Sequence, residues 1–306
     1  MPMTPTAKAQ LQIHLCVLLW GFTPILGKLI SLSALPLVWW RMLIVVAALA
    51  LLPRVWRGLR AMPAKLVLAY CGIGLIVALH WLTFYGAIKL SNASVAVTCI
   101  ALAPAFTSVI EPWLTRRPFS WRELLFGIAV LPGVALVVGG IPDGMRLGVL
   151  VGALSALLVA LFGPLNKRLI DHGEPLTITG LELGAGTLLL TALAPLMPML
   201  FPAFAGDLFA LPGARDFGPL LALALALVAL KHLSAYGVQL VTNLEPVYAI
   251  VLAIVLLGEQ RELTPLFYLG VGIILAAVFL HPLTQRPKRI EHPEVLGTSE
   301  AKNIVE

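Results

Sequence analysis

The sequence predicts an all-α integral membrane protein, with ten transmembrane helices arranged as two inverted five-helix repeats. Three observations carry that prediction. Of 306 residues, 59% are hydrophobic and only 12% are charged, about half the charged share of a soluble domain. The basic residues gather in alternate connections. Three segments recur in order at a near-constant offset.

A spanning helix needs about 20 mostly apolar residues. Ten such spans read along the chain: 9–30, 34–52, 66–87, 93–113, 121–139, 146–170, 174–200, 216–231, 237–257 and 263–282. Only Lys8 precedes span 1, without a small-residue cleavage site, so that span reads as a retained helix. Lys8, Arg54, Arg57, Arg60, Lys65, Arg116, Arg117, Arg122, Lys167, Arg168, Lys231, Arg286, Lys288, Arg289 and Lys302 fall on one side of the resulting topology. Lys28, Lys89, Arg146, Arg215 and Arg261 fall on the other, and Arg41 lies inside span 2. By the positive-inside rule this places both termini in the cytoplasm. It also keeps the short span 8, because dropping it would break the alternation downstream. The expected location is a cell inner (plasma) membrane. Residues 1–8 form a short cytoplasmic start, and 283–306 a polar, disordered cytoplasmic tail. The loops account for the net charge of +6, so no nucleic-acid partner is expected. Cys16, Cys71 and Cys99 sit in apolar spans without metal or redox spacing. They read as small core residues, and neither a metal nor a cofactor is expected.

LSNASVAVTCIALAPAF from Leu90 resembles LSAYGVQLVTNLEPVY from Leu233, with Pro104 and Phe106 matching Pro246 and Tyr248. WRELLFGIAVLPGVALV matches LTPLFYLGVGIILAAVF, aligning Gly127 with Gly270. PILGKLI (Pro24 to Ile30) matches PLNKRLI (Pro164 to Ile170). The offsets are 140 to 143 residues. The chain therefore reads as 9–140 repeated in 146–282. Five spans is an odd number, so the second copy must enter the membrane from the opposite side. Such inverted repeats hold a substrate site near the midplane, at the interface of the halves.

Three stretches carry a family resemblance: WGFTPILGK in span 1, FYGAIKLSNAS entering span 4, and LEPVYAIVLAIVLLGE in span 9. Over about residues 10 to 282 the chain resembles the drug/metabolite transporter superfamily, with two tandem EamA domains. That resemblance implies a ten-helix bundle and alternating access. It also implies a central site lined by spans 1, 3, 4, 6, 8 and 9. Members include exporters of amino acids along with drug, nucleotide-sugar and triose-phosphate carriers. Span 8 departs from the family pattern. Its roughly 16 residues reach about 24 Å as a helix, against a hydrocarbon core of about 30 Å.

The expected lining residues are Trp20 and Thr23 in span 1, His80, Trp81 and Tyr85 in span 3, Thr98 in span 4, and Asn243, Glu245 and Tyr248 in span 9. Pro24, Pro104, Pro164 and Pro246 are expected to kink their helices, since each removes a ladder hydrogen bond. Glu245 lies about 12 Å deep, where a charge costs at least about 2.5–3.5 kcal/mol. It reads either as part of a polar notch on the substrate path or as an architectural glutamate bonded to a neighbouring helix. Trp81 and Tyr85 read as a substrate clamp or as interfacial aromatics. His80 reads as lining that binds a carboxylate or shuttles a proton, and needs a polar partner in either role. Arg41 and Glu182 are the other intramembrane charges, read as a cross-bundle ion pair or as coupling groups. Glu111 and Glu259 read as ion pairs at span ends, with Arg116 and Arg117 and with Arg261.

No P-loop, HExxH, GxSxG or paired acidic motif occurs, so no enzyme activity is expected. The expected partners are a small-molecule substrate and the lipid bilayer, with a homodimer left open. The expected function is gradient-driven export of a small organic metabolite such as an amino acid, with proton coupling through Glu245, His80 or Glu182. The rivals are a passive channel and a membrane scaffold that transports nothing. A phosphate carrier would show lysines or arginines deep in several spans, and only Arg41 lies clearly inside.

Overall fold

The computed structural model describes residues 5–30, 32–116, 118–169, 172–193 and 245–284. Span 8, the first part of span 9 with Asn243, and the C-terminal tail lie outside the described residues. Within them every regular element is helical. Span 1 is α1 (Pro5–Leu29), span 2 is α2 (Ala34–Ala50) and span 3 is α4 (Ala64–Leu90). Span 4 divides into α5 (Ala93–Ile100) and α6 (Ala103–Thr115), and span 5 into α7 (Trp121–Ala129) and α8 (Leu131–Gly139). Span 6 is α9 (Arg146–Leu169) and span 7 is α10 (Pro175–Ala192). The described part of span 9 is α11 (Glu245–Leu252), continued by a π-helical turn, Ala253–Leu257. Span 10 is α12 (Pro265–Thr284).

Among the described residues, five helices are long and apolar enough to cross a membrane. A sixth span is counted if α2 is joined to α3 (Pro53–Ala61), from which it is bent by 88°. Residues 245–257 and 265–277 form shorter apolar helices. Large apolar side chains such as Leu68, Trp113, Leu150, Leu188 and Val255 face outward, as lipid contact requires.

The helix breaks follow from proline chemistry. Pro104 has no N–H to give the Ile100 carbonyl. The chain tightens there, with Ala101 and Leu102 donating to Thr98 and Cys99, three residues back, and α6 restarts with Pro104 in its first turn. Pro132 breaks span 5 in the same way at Val130, a kink absent from the sequence reading. Pro24 and Pro164 are contained inside unbroken helices. Pro246 lies in the first turn of α11, and the residues that would show its kink are not described.

α3 is an element the spans did not foretell. It starts on Pro53, turns Val55 inward and exposes Arg54, Arg57 and Arg60. Gly58 meets Thr177 at the start of α10.

α4 lies at the centre of the first core, packed on α9, α10 and α2, while α8 packs on α12 around the second. At that second seam Gly133 and Gly270 face each other, and a Cβ on either would collide with the other's carbonyl oxygen. Small residues at crossings let backbones approach where lipid supplies no hydrophobic drive. The contacts also match the repeat. Spans 2 and 7, 4 and 9, and 5 and 10 touch each other, and span 4 packs on span 6 as span 9 packs on span 1. Among the described residues two have positive φ, Arg116 at 56° and Gly258 at 70°. They end spans 4 and 9 and stand 142 positions apart.

Candidate functional site

Polar groups inside the bundle concentrate in three places. The first lies between α1, α2 and α4. Arg41, near the middle of α2 and 4% exposed, brings its guanidinium carbon 5.3 Å from the centroid of Trp81 and 5.0 Å from that of Tyr85. Tyr85 is 2% exposed, with its ring edge on Gly27 of α1. Its hydroxyl is buried without a hydrogen-bond partner among the described residues, as is Thr23 Oγ1, one turn before Gly27. Trp20 sits half-buried on the same helix.

The second place is the contact of α4 and α9. The Ser155 hydroxyl lies 2.8 Å from His80 Nδ1 and donates to the His80 carbonyl at 3.1 Å, while Nδ1 lies 3.2 Å from the Ser155 carbonyl. Phe84 and Phe162 flank the imidazole. The histidine thus has the polar partner that lipid surroundings demand. Glu182 of α10 accepts from Asn166 Nδ2 of α9 at 3.4 Å and sits flush against Gly74 of α4. Gly74 precedes Trp81 by 7 residues and Tyr85 by 11, about 10–16 Å along a helix. The residue that Glu182 packs on and the rings under Arg41 are thus about two to three turns apart along α4.

The third place joins span 9 to span 1. Tyr248 Oη lies 3.1 Å from His14 Nδ1, and Gly21 packs on the Tyr248 Cβ. Glu245 is half-buried in the first turn of α11. Thr98 is buried and donates to the Ser94 carbonyl in its own helix at 2.7 Å.

At one end of the bundle the structure corrects the reading of Glu259. It does not sit at the surface with Arg261. It is 2% exposed, and its two carboxylate oxygens accept from the amides of Ala93 and Ser94 at 2.9 Å each. These are orphan donors of the first turn of α5, where the helix dipole favours an anion. Asn92 caps the same helix, accepting from Val95 N at 2.9 Å and donating to Glu262 at 3.2 Å. Nearby, Lys28 of α1 donates to the Ser91 carbonyl at 3.1 Å, and Lys89 of α4 donates to the Ile30 carbonyl. Each lysine thus finishes the other's helix. Gly258, the left-handed residue ending span 9, was the visible signal that the chain turns before Glu259. Nothing local told which helix the carboxylate would cap. At the other end Glu111 meets Lys167 of α9 at 3.4 Å.

A bundle of apolar helices with charged and aromatic groups held inside, written in two copies, defines a multi-pass membrane transporter of the drug/metabolite type. The chain belongs to the EamA-like transporter family, which it matches twice in tandem, at residues 7–139 and 146–281. Among curated proteins none matches the sequence. Among solved structures, one titled only "Crystal structure of protein" is 17% identical, with a TM-score of 0.61 over 91% of this chain and 99% of that one. That likeness concerns the fold.

Proposed function

We propose that the protein is a secondary transporter that exports a small organic metabolite such as an amino acid. It works by alternating access between two inverted five-helix repeats. Ten spans then cross an inner (plasma) membrane, with both termini in the cytoplasm. The observation that carries this reading is the contact of span 2 with 7, span 4 with 9 and span 5 with 10 across the two repeats, with the packing of span 4 on span 6 mirrored by that of span 9 on span 1. Two halves joined in that way can rock about a shared centre. In this reading Trp20, Thr23, Trp81 and Tyr85 line the path from the first repeat, and Glu245 and Tyr248 from the second. Proton coupling runs through the half-buried Glu245, the buried Glu182 or His80.

The test is counterflow in proteoliposomes loaded with unlabelled amino acids and metabolites, with Glu245→Gln alongside the natural protein. Saturable exchange of one labelled compound, altered in the variant, supports a carrier with Glu245 in its cycle. Flux without saturation or counterflow replaces it with a channel. No flux across the panel from folded protein returns the scaffold reading.

A further inference from the structure

The basic connection between spans 2 and 3 folds into α3, and its placement points to a partner other than the cargo. We propose that α3 lies in the headgroup layer of the membrane and that Arg54, Arg57 and Arg60 bind the phosphates of anionic phospholipids.

The first observation is orientation. α2 runs about 25 Å along its axis, and α3 leaves it at 88°. Three arginines on a nine-residue helix bar it from the hydrocarbon. A helix of that composition, set across the end of a near-spanning one, lies along the membrane surface. Apolar groups fix its depth. Leu51 at the corner is 82% exposed, and Leu68, in the second turn of α4, is 72% exposed. Trp56 is 47% exposed and donates its indole N–H to the Ala50 carbonyl at 2.8 Å, closing the last turn of α2. Tryptophan favours this level, where its ring meets lipid and its polar edge meets the interface.

The second observation is a fixed face. Arginines spaced by three residues step back about 60° each around a helix, so the three share an arc of roughly 120°. Val55 and Leu59 lie on the opposite side. Val55 is buried against the start of α10, where Thr177 donates to its carbonyl at 3.4 Å, and the Thr177 side chain closes over Gly58. A signal that only orients the chain needs charge in the connection and no particular fold. Here the charges are locked onto one side of a docked helix.

The third observation is what the arginines lack. They are exposed, and among the described residues none of them makes a hydrogen bond or an ion pair. Basic groups at the end of α9 are engaged instead: Lys167 meets Glu111 at 3.4 Å, and Arg168 donates to the Leu114 carbonyl at 3.1 Å. The chain carries no Asp or Glu before Glu111. Glu174, at the start of α10, already accepts from the amide and hydroxyl of Thr177. The counter-charge for α3 comes from outside the chain.

The chemistry selects the ligand. A guanidinium presents a planar fork to two phosphate oxygens. Three forks at one depth, beside exposed leucines and an indole, fit headgroups whose acyl chains pack alongside. A zwitterionic lipid sets its own ammonium against its phosphate, so a net anionic lipid is drawn more strongly. On the topology proposed above, α3 meets the cytoplasmic leaflet. The choice of leaflet rests on that reading, and the binding does not.

The test is a lipid titration of the purified full-length protein in neutral detergent micelles, read as the rise in unfolding midpoint. The probes are phosphatidylglycerol, phosphatidylcholine and, as a headgroup without chains, glycerol phosphate. Phosphatidylglycerol is expected to act at concentrations about 10-fold below phosphatidylcholine, with glycerol phosphate inert. A basic side chain near an anionic surface strengthens binding about 5-fold. Single arginine-to-glutamine changes are therefore expected to weaken phosphatidylglycerol about 3- to 5-fold, and the triple Arg54→Gln/Arg57→Gln/Arg60→Gln about 30- to 100-fold. The same triple with lysine, which keeps the charge, is expected to stay within about 5-fold of the natural protein. Arg286→Gln/Lys288→Gln/Arg289→Gln removes equal charge from the C-terminal tail and is expected to lose less than about 3-fold. The single variants decide the matter if the triple fails to fold, since exposed substitutions of this kind rarely disturb folding. The proposal is overturned if phosphatidylcholine binds as well as phosphatidylglycerol, if glycerol phosphate alone gives the same shift, if the α3 variants keep the natural affinity, or if the tail variant loses as much as the α3 triple.

Discussion

Replacing Glu259 with glutamine should destabilise the protein by about 2–4 kcal/mol. The side chain is 2% exposed and accepts two backbone amides at 2.9 Å each. Hydrogen bonds to a charged acceptor contribute about 1.5–3 kcal/mol apiece, and neutral ones about 1. A glutamine keeps one carbonyl oxygen for one amide. It turns an NH₂ toward the other and gives up the charge that the helix start favours, worth up to about 2 kcal/mol in a buried setting. The sum of these losses lies near the stated range, or roughly a 30- to 700-fold change in the folding equilibrium. The assay is reversible unfolding in mixed micelles titrated with a denaturing detergent, read by tryptophan fluorescence. Glu262→Gln is the control, because that residue is exposed and among the described residues accepts from Asn92 alone, at 3.2 Å. It should change stability by less than about 0.5 kcal/mol. The reasoning fails if Glu259→Gln stays within that margin, or if both variants lose the same amount.

Other contacts give sharp expectations. Gly270→Val should cost about 1–3 kcal/mol by forcing the α8–α12 seam apart, while Gly272→Ala, whose new Cβ meets nothing within 4 Å, should be neutral in the same titration. Trp39 donates to Thr191 Oγ1 at 2.8 Å, so a double-mutant cycle of Trp39→Phe and Thr191→Val should return a coupling of about 0.5–1.5 kcal/mol. Zero coupling would place the bond outside the folded state in lipid. Ser155→Ala should lower the thermal midpoint and loosen the ring of His80, and imidazole NMR linewidths that stay unchanged would count against the clasp.

The apolar spans were legible because the bilayer imposes one requirement, a long run of residues that bury their own backbone bonds. Each described span begins and ends within about four residues of its expected limits, apart from the trimmed ends of spans 7 and 9 beside the residues not described. The break before Pro104 was legible from the missing N–H. The break at Val130 carried the same signal in Pro132, hidden there by an apolar run. α3 was hidden for another reason. PRVWRGLRA reads as a basic connection, and its helical spacing of arginines only gains meaning once Val55 and Gly58 have α10 to pack on. The repeat was legible in motifs, whereas Glu259 was misread from its neighbour Arg261. The carboxylate's partners are set by a helix start 165 residues away, and no local pattern encodes that distance.

The Glu259 contact also orders events in the life of the chain. Ala93 and Ser94 leave the ribosome 165 residues before the carboxylate that will cap them. At about 5–20 residues per second, that is a delay of roughly 8–33 s. Through that interval the first turn of α5 must take its hydrogen bonds from Asn92 and from water at the membrane edge. Span 4 is therefore inserted before it is finished, and the turn that follows span 9 completes it. A chain cut between the two repeats would carry an open helix start, and a second half supplied separately should close it.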